Sequence, residues 1–67
     1  MDEQPTIKLD QFLKLQNWVM SGGEAKQVIQ NGLVQVNGEP ETRRGRKLRS
    51  GDRVELAGQI AEVQLPG

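Results

Sequence analysis

SGGEAKQVIQNGLVQVNG, residues 21–38, holds a helix start, a helix stop, a strand and a hairpin turn in immediate succession. Ser21 with Glu24 three residues later matches a capping box, in which the serine oxygen accepts from a backbone N–H that the first helical turn leaves free. Ala25, Val28, Ile29 and Gly32 then recur at i, i+3, i+4 and i+7, the spacing of one apolar helix face. The small residues Ala25 and Gly32 are expected to permit close approach on that face. Asn31-Gly32 supplies the stop, because glycine enters the left-handed conformation without steric cost. Val34-Gln35-Val36 alternates as a half-buried strand does, and Asn37-Gly38 is the strongest short signal for a hairpin. The spacing predicts a helix over 22–31 and a hairpin turning at Asn37-Gly38.

The same reading extends outward on both sides. Leu9, Phe12 and Leu13 fall on one face of a helix predicted over 9–17, with Asp10 in the first turn where a carboxylate suits the helix dipole. Thr6-Ile7-Lys8 reads as a short strand before it, and residues 1–5 as a flexible tail. Trp18-Val19-Met20 forms an apolar connector, Phe12 belongs to the core, and Trp18 is expected to lie over that core as a half-buried cover. Beyond the hairpin, Pro40 lacks the N–H that a central strand needs, so the returning strand is short or at an edge. Ser50-Gly51-Asp52 marks a turn, Val54-Glu55-Leu56 alternates, and Ala57-Gly58 turns into a last strand around 60–65. The fold class is therefore α+β: two N-terminal helices packed on a small antiparallel sheet, in a single domain over 1–67.

Composition narrows the chemistry. The 67 residues include no histidine, cysteine or tyrosine, which removes the commonest general bases and nucleophiles. Ser21 and Ser50 are the only serines, and each has a cap or turn role. The carboxylates are scattered, so neither an acid/base pair nor a metal-ligand cluster is spelled out. Gly22-Gly23 precedes a helix, but the glycine-rich phosphate-loop fingerprints and their lysine are missing. No catalytic residue, metal or cofactor is expected, nor a small-molecule substrate. No signal peptide or membrane-spanning run can be read, which makes the cytoplasm the expected location.

Charge is informative only in its distribution. Nine basic and nine acidic residues cancel. Between Thr42 and Ser50, however, the chain reads TRRGRKLRS, with five basic residues and no acid. Arg43, Arg44, Arg46, Lys47 and Arg49 are thus candidate phosphate ligands on a loop or irregular strand, since arginine offers a planar fork and lysine a point charge. Alone, such a run is as well explained as a solvated surface. Lys26 and Gln30 lie four apart on the second helix, off the apolar stripe, and share one exposed face. With Phe12 in the core and Trp18 as cover, the chain lacks the stacking platform on which single-stranded nucleic acid is usually held.

Together these residues resemble the S-four RNA-binding domain, also called the alpha-L motif. The match is carried by Lys8-Leu9-Asp10, Ser21, Glu24-Ala25-Lys26, Val28-Ile29, Gly32, Val34-Gln35-Val36-Asn37-Gly38 and Gly51-Asp52. SGGEAKQVI with VNGE and RRGRKLRSGD is similar to the short stand-alone bacterial members of that family. The resemblance implies a surface of two helices and the adjoining loop set against rRNA or tRNA-like structures. It places Lys8, Lys26 and the basic loop at or near contact positions. One departure is Gly22, where many members carry arginine. The expected function is non-catalytic binding of structured RNA, such as ribosomal RNA or a ribosome-assembly intermediate, by a monomer. Docking of an acidic partner protein is the alternative. Replacing Arg43 and Arg44 is expected to leave stability nearly unchanged, since exposed loop charges contribute little to folding.

Overall fold

The structure, a computed structural model, describes residues 5–66. All of the expected N-terminal tail except Pro5 lies outside the described residues. The elements follow in the order β1 (Ile7–Lys8), α1 (Leu9–Leu15), α2 (Gly22–Gln30), β2 (Val34–Val36), β3 (Glu39–Pro40), β4 (Lys47–Leu48), β5 (Arg53–Leu56) and β6 (Gln59–Glu62). Both helices match the sequence expectation, each shorter by a residue or two at its C-terminal end.

Those ends have a common cause. At α1 the N–H of Asn17 donates to the Lys14 carbonyl (3.0 Å) and that of Trp18 to the Leu13 carbonyl (3.1 Å). At α2 the N–H of Gly32 donates to Ile29 (3.0 Å) and that of Leu33 to Val28 (3.0 Å). Both are Schellman closures, which require the residue after the cap to be left-handed; Asn17 has φ 60° and Gly32 φ 74°. A Cβ placed on Gly32 would meet no atom within 4 Å. The glycine therefore serves the turn, and the close helix packing expected of it does not occur.

The start of α2 is closed by Ser21, whose Oγ accepts from the Glu24 N–H (3.2 Å). Glu24 reaches back with Oε1 to the N–H of Met20 (2.7 Å), one residue before the position a capping box ordinarily covers.

The strands form two sheets where the sequence suggested one. A four-stranded antiparallel sheet has the order β3-β2-β5-β6, and β1 pairs separately with β4. Pro40 lies on edge strand β3, where its missing N–H costs nothing. The last strand stops at Glu62, and the chain then continues by pairing with the 50–52 turn: Gly51 N–H to Val63 O (2.8 Å) and Val63 N–H to Asp52 O (2.7 Å).

One core joins all of this. Leu9, Phe12 and Leu13 of α1, Ala25 and Ile29 of α2, Val34, Val36, Val54 and Leu56 of the larger sheet, Leu48 of β4, and Val19 and Val63 are buried in a single cluster. Trp18 covers it at the margin, its ring edge-on to Phe12 with centroids 6.3 Å apart. With so few buried side chains, a helix cap is a sizeable share of stability. Ser21→Ala is expected to lower the unfolding free energy by about 1 kcal/mol, read from the urea midpoint at constant slope.

Candidate nucleic-acid interface

The first N–H groups of a helix have no partner within it, and at α1 the basic segment supplies them. The Leu9 N–H donates to the Arg46 carbonyl (2.8 Å) and the Asp10 N–H to the Arg44 carbonyl (3.3 Å). Asp10 turns its own Oδ1 to the N–H of Gln11 (2.9 Å). Immediately after Arg46, Lys47 and Leu48 leave the loop as β4 and pair with β1, so that Leu48 enters the core. The basic segment is held to the protein at both of these places.

A third tie is Glu41, the one charged residue among the described residues that is buried, with 6% of its surface exposed. Its carboxylate accepts from Arg43 Nε (3.2 Å) and Nη2 (3.4 Å), from the Arg43 backbone N–H (3.0 Å) and from Arg46 Nη1 (2.8 Å). A buried carboxylate without partners would take up a proton; here the opposite holds. The side-chain hydrogen bonds from Arg43 and then Arg46 outweigh desolvation and hold the Glu41 pKa at about 2, below its ordinary 4.5.

Glu41 thus divides the basic segment. Arg43 and Arg46 are bound to it, although the Arg43 side chain remains 76% exposed. Arg44, Lys47 and Arg49 are exposed, and among the described residues every ion pair is made at Glu41. An open hollow of about 490 Å³ is lined by Arg43, Gly45, Arg46 and Lys47. Arg49 is tied through its backbone N–H to Asp52 Oδ2 (2.9 Å), leaving its side chain in solvent. Register brings in Lys8, which stands directly opposite Lys47 across the β1–β4 pair, and both are exposed. Lys26 and Gln30 are exposed on α2, as their spacing predicts.

Two residues escaped the sequence reading. Glu41 was only one acid among several there, though arginines two and five places after it were the available signal. Arg53 lies outside the basic run, on β5 beside a hollow of about 370 Å³ lined also by Asn37, Gly38, Gly51, Glu55 and Ile60. The expected indifference of stability to loss of Arg43 is also corrected. Removing that side chain strips two hydrogen bonds from a buried carboxylate, whereas Arg44 makes no side-chain bond of this kind.

Stability should follow. Arg43→Ala is expected to lower the urea midpoint and Arg44→Ala to leave it unchanged. The pH dependence has a definite sign. With Glu41 at 4.5 when unfolded and about 2 when folded, its contribution is fully present above 4.5 and is lost as pH falls toward 2. Glu41→Gln should flatten the acid limb of a thermal-melting pH profile over that window.

No described helix is long and apolar enough to cross a membrane. A family model described as "S4 domain" matches residues 2–64. The chain is 54% identical over 52 residues to a Bacillus subtilis (strain 168) protein named "Probable ribosome maturation protein RlbA", covering 78% of this chain and 73% of that one. It is 38% identical over 63 residues to an Escherichia coli (strain K12) protein named "Putative RNA-binding protein YbcJ", covering 94% and 90%. Among solved structures, the 30S ribosomal protein S4e from Thermoplasma acidophilum superposes with a TM-score of 0.65 at 26% identity, over 94% of this chain and 32% of that one. The two-helix and hairpin frame, the Ser21 cap and the match over residues 2–64 agree: the chain belongs to the S-four domain family.

Proposed function

We propose that this protein is a non-catalytic module that binds structured RNA, ribosomal RNA or a ribosome-assembly intermediate, through backbone phosphates. The observation that carries the reading is the anchored basic segment. Three of its cations, Arg44, Lys47 and Arg49, stand exposed and form no ion pair among the described residues, on a backbone already fixed to α1 and β1. Phosphate binding to a preformed loop does not have to pay for ordering it. Lys8 adds a fourth cation by register, and Arg43 and Arg46 contribute charge from their places at Glu41. Lys26 and Gln30 extend the surface onto α2, which packs against α1.

The aromatic side chains support a reader of shape and backbone. Phe12 is 3% exposed and Trp18 is half-buried against the core with its ring perpendicular to that of Phe12, so the chain presents no set of exposed rings on which successive bases could stack. The relatives agree in their names, one as a ribosome maturation protein and one as an RNA-binding protein.

Salt titration of affinity for a labelled RNA stem–loop tests the reading. Each phosphate neutralised contributes roughly 0.7 to 0.9 to the log–log slope. Arg44→Ala and Arg49→Ala, which spare the Glu41 cluster, should together flatten the slope by about 1.5 and weaken different stem–loops alike. A homopolymer strand of equal length should compete poorly. Equal competition, or a slope unmoved in the folded double variant, would remove the phosphate-binding role.

A further inference from the structure

In the β1–β4 ribbon, Ile7 stands opposite Leu48 and Lys8 opposite Lys47. Side chains alternate between the two faces of a strand, and directly opposed residues project from the same face. Leu48 is fully buried and Ile7 packs against the core, so the two lysines project together from the outer face. Their Cβ atoms are then about 4.5–5.5 Å apart, a separation at which like charges destabilise a strand pair. Lys8 is also the N-cap residue of α1, the end of a helix that least favours a cation.

Among the described residues nothing nearby neutralises the pair. Neither lysine has a carboxylate within 4 Å among the described residues. Glu41 is occupied by Arg43 and Arg46, and Asp10 gives one of its oxygens to the Gln11 N–H. Lys47 also lines the hollow that Arg43, Gly45 and Arg46 complete, an open space of about 490 Å³ floored in part by a residue without a side chain. Two flexible ammonium groups at adjacent roots, unneutralised and beside a cationic hollow, make a geometry that a tetrahedral oxyanion completes. Its oxygens can take one hydrogen bond from each lysine and cancel their repulsion.

We propose that Lys8 and Lys47 form a two-ammonium clamp that seats a single phosphate group, an internal phosphodiester of the bound RNA. The proposal rests on the RNA-binding function given above and assigns two lysines from distant parts of the sequence to one phosphate.

The clamp differs measurably from two independent contacts. Each of Lys8→Gln and Lys47→Gln removes a contact and also the relief of repulsion, so the double variant should lose less affinity than the product of the single losses. Each single variant should weaken binding of an RNA stem–loop about threefold. One shared phosphate requires the double variant to flatten the salt slope by about 0.7 to 0.9, whereas separate phosphates require about 1.4 to 1.8. Melting temperatures of the free variants should equal or exceed that of the parent, because a repulsion has been removed.

Multiplicative losses with the larger slope change overturn the clamp, as does unaltered binding in the double variant. Repeating the titration with stem–loops bearing and lacking a 5′-phosphate separates the sources. Equal effects on both support an internal phosphodiester, and effects confined to the phosphorylated RNA replace it with a chain-end phosphate. A second arm titrates inorganic phosphate into the labelled protein and follows amide shifts. If no stem–loop binds but the Lys8 and Lys47 amides still move, RNA binding fails while the oxyanion site stands. If those amides stay still as well, the clamp fails with it.

Discussion

A carboxylate placed where almost no water reaches it must be matched by cations or lose its charge, and Glu41 meets that demand with Arg43 and Arg46. The consequences reach well beyond the ion cluster. Holding two side chains and the Arg43 N–H at one point bends residues 41–46 back on themselves. Bent in that way, the segment turns the Arg44 and Arg46 carbonyls toward α1, where they take up the free N–H groups of Asp10 and Leu9. The next residues run on as β4, deliver Leu48 to the core and set Lys47 against Lys8. Loop, helix start and ribbon therefore form one interlocked unit. The charge that keeps the cations in place is also the charge that withdraws two of them from general availability.

Elsewhere side chains bonded to the backbone do work that a larger protein leaves to its core. Asn37 accepts the Arg53 N–H on Oδ1 (3.0 Å) and donates through Nδ2 to Asp52 (3.2 Å), fastening the β2–β3 turn to the strand beside it. The same turn needs left-handed geometry at two successive positions, met by Asn37 at φ 53° and Gly38 at φ 85°. Ser50 holds the C-terminal stretch by accepting the Leu65 N–H (2.9 Å). Small domains bury a modest fraction of their surface, and such bonds restrict the chain where packing alone leaves it loose.

Legibility in the sequence followed the range of the interaction. The two helices, the Ser21 cap and Gly32 stop of α2, the hairpin and the edge position of Pro40 depend on residues close together in the chain, and these were readable. The departures are long-range. Separation of β1 and β4 into their own ribbon depends on a pairing between residues 41 and 39 positions apart, Ile7 with Leu48 and Lys8 with Lys47, that no local pattern encodes. Gly32 was read both as the helix stop, which its φ of 74° bears out, and as a packing residue on the apolar spacing, a role its open surroundings do not give it. At the candidate interface the run of cations was plain from composition. Its partition between Glu41 and solvent was not, because burial of one glutamate is a property of the folded chain.

Neutral net charge and a concentrated basic segment describe a particular kind of proposed RNA binder. Nine acids against nine bases leave little long-range attraction, so encounter with RNA gains less from steering than it would for a basic protein. Selectivity must then come from contacts at short range, where the arrangement of cations matters more than their number. The loop is suited to that role because three ties fix it before any ligand arrives: Glu41 on one side, the start of α1 beneath and β1 beyond. A flexible basic tail of equal charge would meet any phosphate spacing and would lose conformational freedom on each occasion. A held loop accepts the spacing that its anchors dictate, so that the buried carboxylate, which touches no RNA in this proposal, helps to set which folded RNAs the surface can fit.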